Sequence, residues 1–336
     1  MKNQRRLKLG GLLGVVVLGL IGLLVMTGAS RPTQSTTTIR IGILRVPNDV
    51  TAARQRGDLQ RAARQRGYRI KYYTFDSGVD ANKALLANSV DLATMGDTNA
   101  VVAMAAKIPV NLVWVNDVVG SNEQLVVRRQ LGIQRPQDLV GKTIATPFAS
   151  TSHYSLMMYL KAHHLLGKVH LMDMQTTEIV AAWRRGDIDG AYTWEPSLSN
   201  LTHAQTLTDS QALANAGYLT ANVTLATTQF QRQHPQALRM VLDVLGQMHD
   251  LKQTHPGEIN RTTGKFLDLT AQQAQTQIGT SRWVRADEMP RFMTHQFTRQ
   301  FNTACQFMGQ QQTLNSRPNY RDCQRFIDAR YCTGGE

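Results

Sequence analysis

A chain of 336 residues with 42% apolar and 7% aromatic content fits a soluble globular protein, and its length allows two modest domains with proper cores. Its 37 Lys and Arg against 24 Asp and Glu leave a formal charge of +13, a balance that elsewhere points to nucleic acid. Four of the basic residues, Lys2, Arg5, Arg6 and Lys8, flank an export leader, and an exported chain meets no nucleic acid, so that partner is excluded.

Residues 9–26 carry no charge and end at Thr27-Gly28-Ala29-Ser30. A basic flank, an apolar run and a small-residue exit predict that residues 1–30 are a signal peptide, cleaved, or a retained N-terminal membrane anchor. Either way the rest of the chain is expected in the periplasm or on the outer face of the cytoplasmic membrane. No cysteine follows the run, so no lipid-modified N-terminus is expected.

A Thr-rich linker (31–38) leads to a predicted strand over 39–46, then to a helix holding Ala52-Ala53-Arg54-Gln55-Arg56-Gly57 and its repeat Ala62-Ala63-Arg64-Gln65-Arg66-Gly67. The repeat reads as a solvated basic face. Strands over 68–75, 90–95 and 109–115 alternate with helices over 81–87 and 99–107, which argues a parallel sheet covered by helices. A second series follows: strands over 123–128, 169–174 and 188–192, a helix start at Pro136, and a helix over 179–185. Residues 221–227 form a returning strand, and from Gln229 the chain is mostly helical and polar to Arg285. The pattern predicts an α/β protein of two lobes, lobe 1 from 39–117 and 222–300 and lobe 2 from 118–221, with crossings near 116–122 and 217–222. Two lobes joined twice can close on a ligand by hinge motion. Residues 301–336 are left as a tail holding Cys305, Cys323 and Cys332. In an oxidising compartment these allow one bridge and one free thiol, with no pairing favoured, and no CxxC or HxxH spacing supports a metal.

The stretch Gly141 to Ser155 predicts a strand, a turn at Pro147 and a helix capped by Ser150, Thr151 and Ser152. A helix start offers unpaired N–H groups and a favourable dipole to an anion. Ligands of open α/β sheets gather beyond strand ends, where this chain carries Asp76-Ser77-Gly78, Gly96-Asp97-Thr98, Ser150 to Tyr154 and Trp194-Glu195-Pro196. Together they suit a small zwitterion, with donors for its anionic head, acids for its cationic end and an aromatic wall between. No G-x-S-x-G elbow, Walker loop or G-x-G-x-x-G follows a strand, and His153 beside Ser152 lacks a partner acid. No catalytic residue, cofactor or metal is therefore expected.

Phe75-Asp76-Ser77-Gly78, Gly120-Ser121-Asn122-Glu123 with Leu125-Val126-Val127, Ser150 to Ser155, and the run from Ala182 to Tyr192 resemble the periplasmic taurine-binding proteins of ABC importers. These belong to a broader group that binds aliphatic sulfonates, nitrate and thiamine-pyrimidine precursors. The resemblance covers roughly 39–235. It implies a two-lobed periplasmic binding protein fold of type II, monomeric, that hands its ligand to a membrane permease driven by a cytoplasmic ATPase. It also implies a sulfonate at the helix start of Thr151, Ser152, His153 and Tyr154, facing Ser77 and the Asp97-Thr98 turn, with Trp194 as a wall. The chain departs from the pattern at Asp97 and Thr98, where small residues are usual, at Glu195, where a neutral residue is usual, and at Asn222, where an acid is expected. Glu195, Asp97 or Glu123 can supply the missing charge for taurine's ammonium group, or the ligand is a sulfonate without an amine or a pyrimidine precursor. A pyrimidine synthase shares the fold group and gives an enzymatic alternative, which the leader opposes.

Overall fold

The computed structural model describes residues 37–310, 314, 316 and 318–332. The expected leader (1–30), linker residues 31–36 and residues 333–336 lie outside them. The chain lays down β1 (Thr37–Leu44), α1 (Asp49–Arg56), α2 (Asp58–Gln65), β2 (Tyr68–Phe75), α3 (Gly78–Leu86), β3 (Leu92–Gly96), α4 (Asp97–Ala105) and β4 (Val110–Val118). After residues 119–122 come β5 (Glu123–Arg128), β6 (Thr143–Thr146), α5 (Thr151–Ala162), β7 (His170–Asp173), α6 (Thr176–Arg185), β8 (Gly190–Trp194), β9 (Ala204–Asp209) and α7 (Ser210–Asn215). Residues 216–220 lead back into β10 (Ala221–Thr227). The rest is helical: α8 (Thr228–Gln233), α9 (Pro235–Thr254), α10 (Pro256–Phe266), α11 (Ala271–Ile278), α12 (Met289–Phe292), α13 (Thr298–Gln310) and α14 (Tyr320–Phe326).

The strands make two five-stranded sheets of one plan, β2-β1-β3-β10-β4 and β7-β6-β8-β5-β9. In each, four strands run in one direction, and the strand that arrives from a crossing, β10 or β5, runs antiparallel to both its neighbours. The wholly parallel sheet expected from the strand–helix alternation is thus corrected to a mixed one. Parallel direction is enforced by a crossover within one sheet, and β5 and β10 come from the other sheet without one. Strand β3 is buried along its whole length, as a strand covered on both faces must be.

Two elements escape the sequence pattern. Edge strand β9 is only half-buried, so AQTLTD shows no apolar period, and α7 is six residues long. The expected helix at Pro136 is a single 3₁₀ turn, Pro136–Leu139. The arginine repeat behaves as expected of an outward face. Ala52, Ala53 and Ala63 are buried, Arg56 pairs with Asp58 and Glu258, and the Arg54 guanidinium lies over the rings of Tyr72 and Phe266.

The described residues between 301 and 332 are more than a tail. Phe301, Cys305, Phe307, Cys323, Phe326 and Cys332 join the core of the first sheet, Ile327 bridges Leu112 of β4, and Asp328 N–H donates to Leu112 O at 2.8 Å. All three cysteines are buried thiols. The Sγ atoms of Cys305 and Cys323 lie 3.4 Å apart, whereas Cys332 Sγ faces Val113 O at 3.1 Å. Among the described residues no helix is long and apolar enough to cross a membrane.

The first crossing is braced by a third segment. Ser121 N–H donates to Thr280 Oγ1 at 2.8 Å, Thr280 N–H donates back to Ser121 Oγ at 3.0 Å, and Arg282 bridges Val118. The helical pattern expected through Arg285 breaks here, because Gly279 takes φ +56° and ψ −136°, a conformation open to glycine. Gly120 must also be small: a Cβ on it would stand 2.5 Å from the Thr280 carbonyl carbon. Gly120→Ala is expected to cost about 1–3 kcal/mol by overpacking, read as a lower denaturation midpoint, and an unchanged midpoint would show that the brace yields freely.

Candidate functional site

The ends of the strands face one another across a cavity of about 50 Å³. A water centre needs roughly 10–15 Å³, so this space suits a ligand of a few heavy atoms. From the first sheet it is lined by Ser77, Asn99, Asp117 and Asn222, and from the second by Glu123, Thr151, Gln175, Trp194 and Glu195. Close approach is built in by two glycines. A Cβ on Gly96 would lie 2.9 Å from Thr151 Cγ2, and one on Gly78 would lie 2.2 Å from Asn99 Oδ1.

On the second wall, Ser150 caps α5, its Oγ accepting from His153 N–H at 3.2 Å and donating to Pro147 O at 2.6 Å. The N–H groups of Thr151 and Ser152 have no hydrogen-bond partner among the described residues, and that of Thr151, which lines the cavity, is open to a ligand. The Thr151 hydroxyl is already engaged: it donates to Glu123 Oε2 at 2.5 Å, and Ser210 donates to Glu123 Oε1 at 2.6 Å. Burial raises the Glu123 pKa, and these two hydroxyls, with those of Ser152 and Ser155, pull it back down. The hydroxyl-rich helix start therefore serves an internal carboxylate as well as the cavity. Glu195 is also raised by burial, and Ser199 holds both its oxygens, at 2.8 Å from Oγ and 3.0 Å from N–H.

On the first wall, Asp117 and Asn222 are register partners of β4 and β10. The Asn222 amide donates to Asp117 Oδ1 at 3.0 Å, and burial lifts Asp117 to about 7 against that bond. The neighbouring Asn116, at a shift in the β4–β10 register, donates to buried Asp49 at 2.8 Å.

Of the residues expected at the site, Ser77, Glu123, Thr151, Trp194, Glu195 and Asn222 share this cavity and five do not line it. Asp97 lies behind it at 1% exposure, accepting from Ala221 N–H at 3.2 Å. Thr98 Oγ1 donates to Ala149 O at 2.9 Å and so ties the two walls together. Ser152 is fully buried. His153 stacks on Phe148 at 4.5 Å between ring centroids, and burial lowers its pKa. Tyr154 packs edge-on to Phe307 at 5.6 Å, within the core of the first sheet. The reason is helical geometry: only the first residue of α5 points at the cavity, and the next three turn away around the axis. Sequence reasoning missed Asn99, Gln175 and Asp117. The available signal for Asp117 was a polar pair, Asn116-Asp117, closing an apolar strand at the crossing.

The NMT1/THI5-like family description matches residues 64–259. The taurine-binding periplasmic protein of Escherichia coli K12 is 36% identical over 179 residues, which span 53% of this chain and 55% of that protein. The alkanesulfonate-binding protein SsuA of Xanthomonas axonopodis pv. citri, solved with MOPS, superposes with a TM-score of 0.72 at 20% identity, covering 85% of this chain and 97% of that one. The periplasmic aliphatic sulphonate-binding protein SsuA of Escherichia coli gives 0.70 at 19% identity, covering 90% and 96%. At such identities the structural likeness establishes the fold, the two-lobed α/β architecture of periplasmic binding proteins.

Proposed function

We propose, from the premise that this chain belongs to the NMT1/THI5-like family, that it is the substrate-binding component of an ABC importer for taurine or a related sulfonate. The ligand is captured between the two sheets by closure about residues 119–122 and 216–220, with lobe 1 formed by 39–117 and 222–300 and lobe 2 by 118–221. The exported, monomeric protein then presents it to a permease driven by a cytoplasmic ATPase. No catalytic step is assigned to it.

The observation that carries this reading is the free N–H group of Thr151, at a helix start that lines a cavity of a few heavy atoms. Sulfonate oxygens accept from such donors and gain from the helix dipole. Trp194 closes the side of the cavity with an apolar face. Titration calorimetry of the purified chain with taurine, alkanesulfonates and a thiamine-pyrimidine precursor tests the reading. Taurine is expected to release heat and, at a hundredfold its Kd, to add about 2.7 kcal/mol to stability. No heat and no thermal shift with any sulfonate would sink it.

A further inference from the structure

We propose that Asp117 is the counter-charge for an ammonium group on the ligand and makes the cleft selective for amino-sulfonates over sulfonates without an amine. This rests on the sulfonate-binding reading above and narrows it.

Among the described residues, the charged side chains lining the cavity are three carboxylates, Asp117, Glu123 and Glu195. A sulfonate with no cation would bring a further negative charge to a buried acidic wall. The N–H groups of one helix start would then have to offset that repulsion alone. A ligand carrying its own ammonium group meets an opposite charge on that wall instead.

Hydrogen-bond occupancy singles out which carboxylate it meets. Both Glu123 oxygens accept hydroxyl donors, from Ser210 and Thr151. Both Glu195 oxygens accept from Ser199. Asp117 accepts through Oδ1 alone, from the Asn222 amide, and a carboxylate has room for about four donors. Among the described residues, its Oδ2 is therefore the carboxylate oxygen in the cavity wall that has no donor. Asp117 lines the cavity from the first sheet and Thr151, with its free N–H group, from the second, so a two-headed ligand would span the cleft and link its two walls. The resemblance implies an acid at position 222. Here the carboxylate stands one strand over, at the register partner on β4, and the Asn222 amide orients it.

The groups around Asp117 also set its response to pH. Asn222 faces it from β10, Asp49 from α1, His249 from α9 and Glu123 from β5. Burial raises its pKa to about 7, Asn222 and His249 lower it, and the two acids raise it. An arriving ammonium group favours the ionised form, so binding of an amino-sulfonate expels a proton, and affinity rises with pH through about 7.

The test compares taurine with ethanesulfonate, by calorimetry, on the purified wild-type chain and on Asp117→Asn, from about pH 6 to about pH 8. The wild type is expected to prefer taurine and to bind it more tightly as pH rises. Asp117→Asn is expected to weaken taurine about thirtyfold or more, to flatten its pH dependence, and to bind ethanesulfonate at least as tightly as the wild type does. Equal losses for both ligands in the variant overturn the assignment and leave the sulfonate reading standing. A wild type that does not discriminate between the two at any pH does the same, and decides the matter should the variant fail to fold. Absence of binding by either ligand overturns both readings.

Discussion

His249→Ala is expected to lower the unfolding free energy by about 3–5 kcal/mol, because it leaves a buried carboxylate without its partner. Asp49 and His249 are both fully buried. His249 Nε2 lies 2.9 Å from Asp49 Oδ2, and Nδ1 lies 2.6 Å from the Val284 carbonyl, which can only accept. Asp49 also takes bonds from Trp114 Nε1 and Asn116 Nδ2, each at 2.8 Å, and opens helix α1, where the dipole favours a negative charge. This cluster ties α1, β4, α9 and the segment at Val284 together directly beneath Asp117. The Trp114 and Trp283 rings flank the imidazole at 5.2 and 5.4 Å, so truncation also opens a cavity. Urea denaturation measures the loss. A change under about 1 kcal/mol would show that the pair contributes no more than a surface one. Adding Asp49→Asn to His249→Ala is expected to cost less than Asp49→Asn does alone, since the charge that would be stranded is then gone.

Between about pH 4 and about pH 8 the stability of the native protein is expected to fall by a few kcal/mol, and Asp97→Asn is expected to flatten part of that slope. Burial raises Asp97 from 3.8 to about 8, the N–H groups of Thr98 and Ala221 oppose it, and the Glu123 charge adds to it. Across that window the folded chain keeps a proton that the unfolded chain has released. The proton count of the folded state is the larger, so stability decreases as pH rises. The stabilising contribution is complete below the unfolded carboxylate range and is lost by about pH 8. Asp117, raised to about 7, slopes the same way, as does Glu123. An asparagine at 97 keeps an oxygen for the Ala221 N–H and removes the titration. The variant is then expected to be more stable than the native chain at high pH and close to it at low pH. Thermal melts at several pH values check this, and a native profile flat over the window would defeat it.

Much of the fold was legible in the chain, because strands of Val, Ile and Leu alternate with helices at regular spacing and glycines mark the turns between them. The two-lobed α/β class follows from that alternation and from the motifs of the resemblance. The site was legible only in outline. Turn and cap chemistry is local, so Ser77, Ser150 and Trp194 could be placed at strand ends by inspection. Which side of a helix start faces the cavity depends on packing, and so His153 stacks on Phe148 and Tyr154 packs edge-on to Phe307. The integration of Phe301, Cys305, Cys323, Phe326, Ile327 and Cys332 into the first core was also invisible, since Ile327 finds its partner Leu112 far away in sequence.

The sequence by itself determined the class and the helix start at Thr151, both of which rest on periodicity and caps within a few residues. Only the tertiary structure decided the charge on the opposite wall. Asn222 alone looks like the loss of an acid. Its β-ladder pairing sets Asp117, 105 positions away, beside it, because neighbouring strands bring side chains within contact distance whatever their separation along the chain.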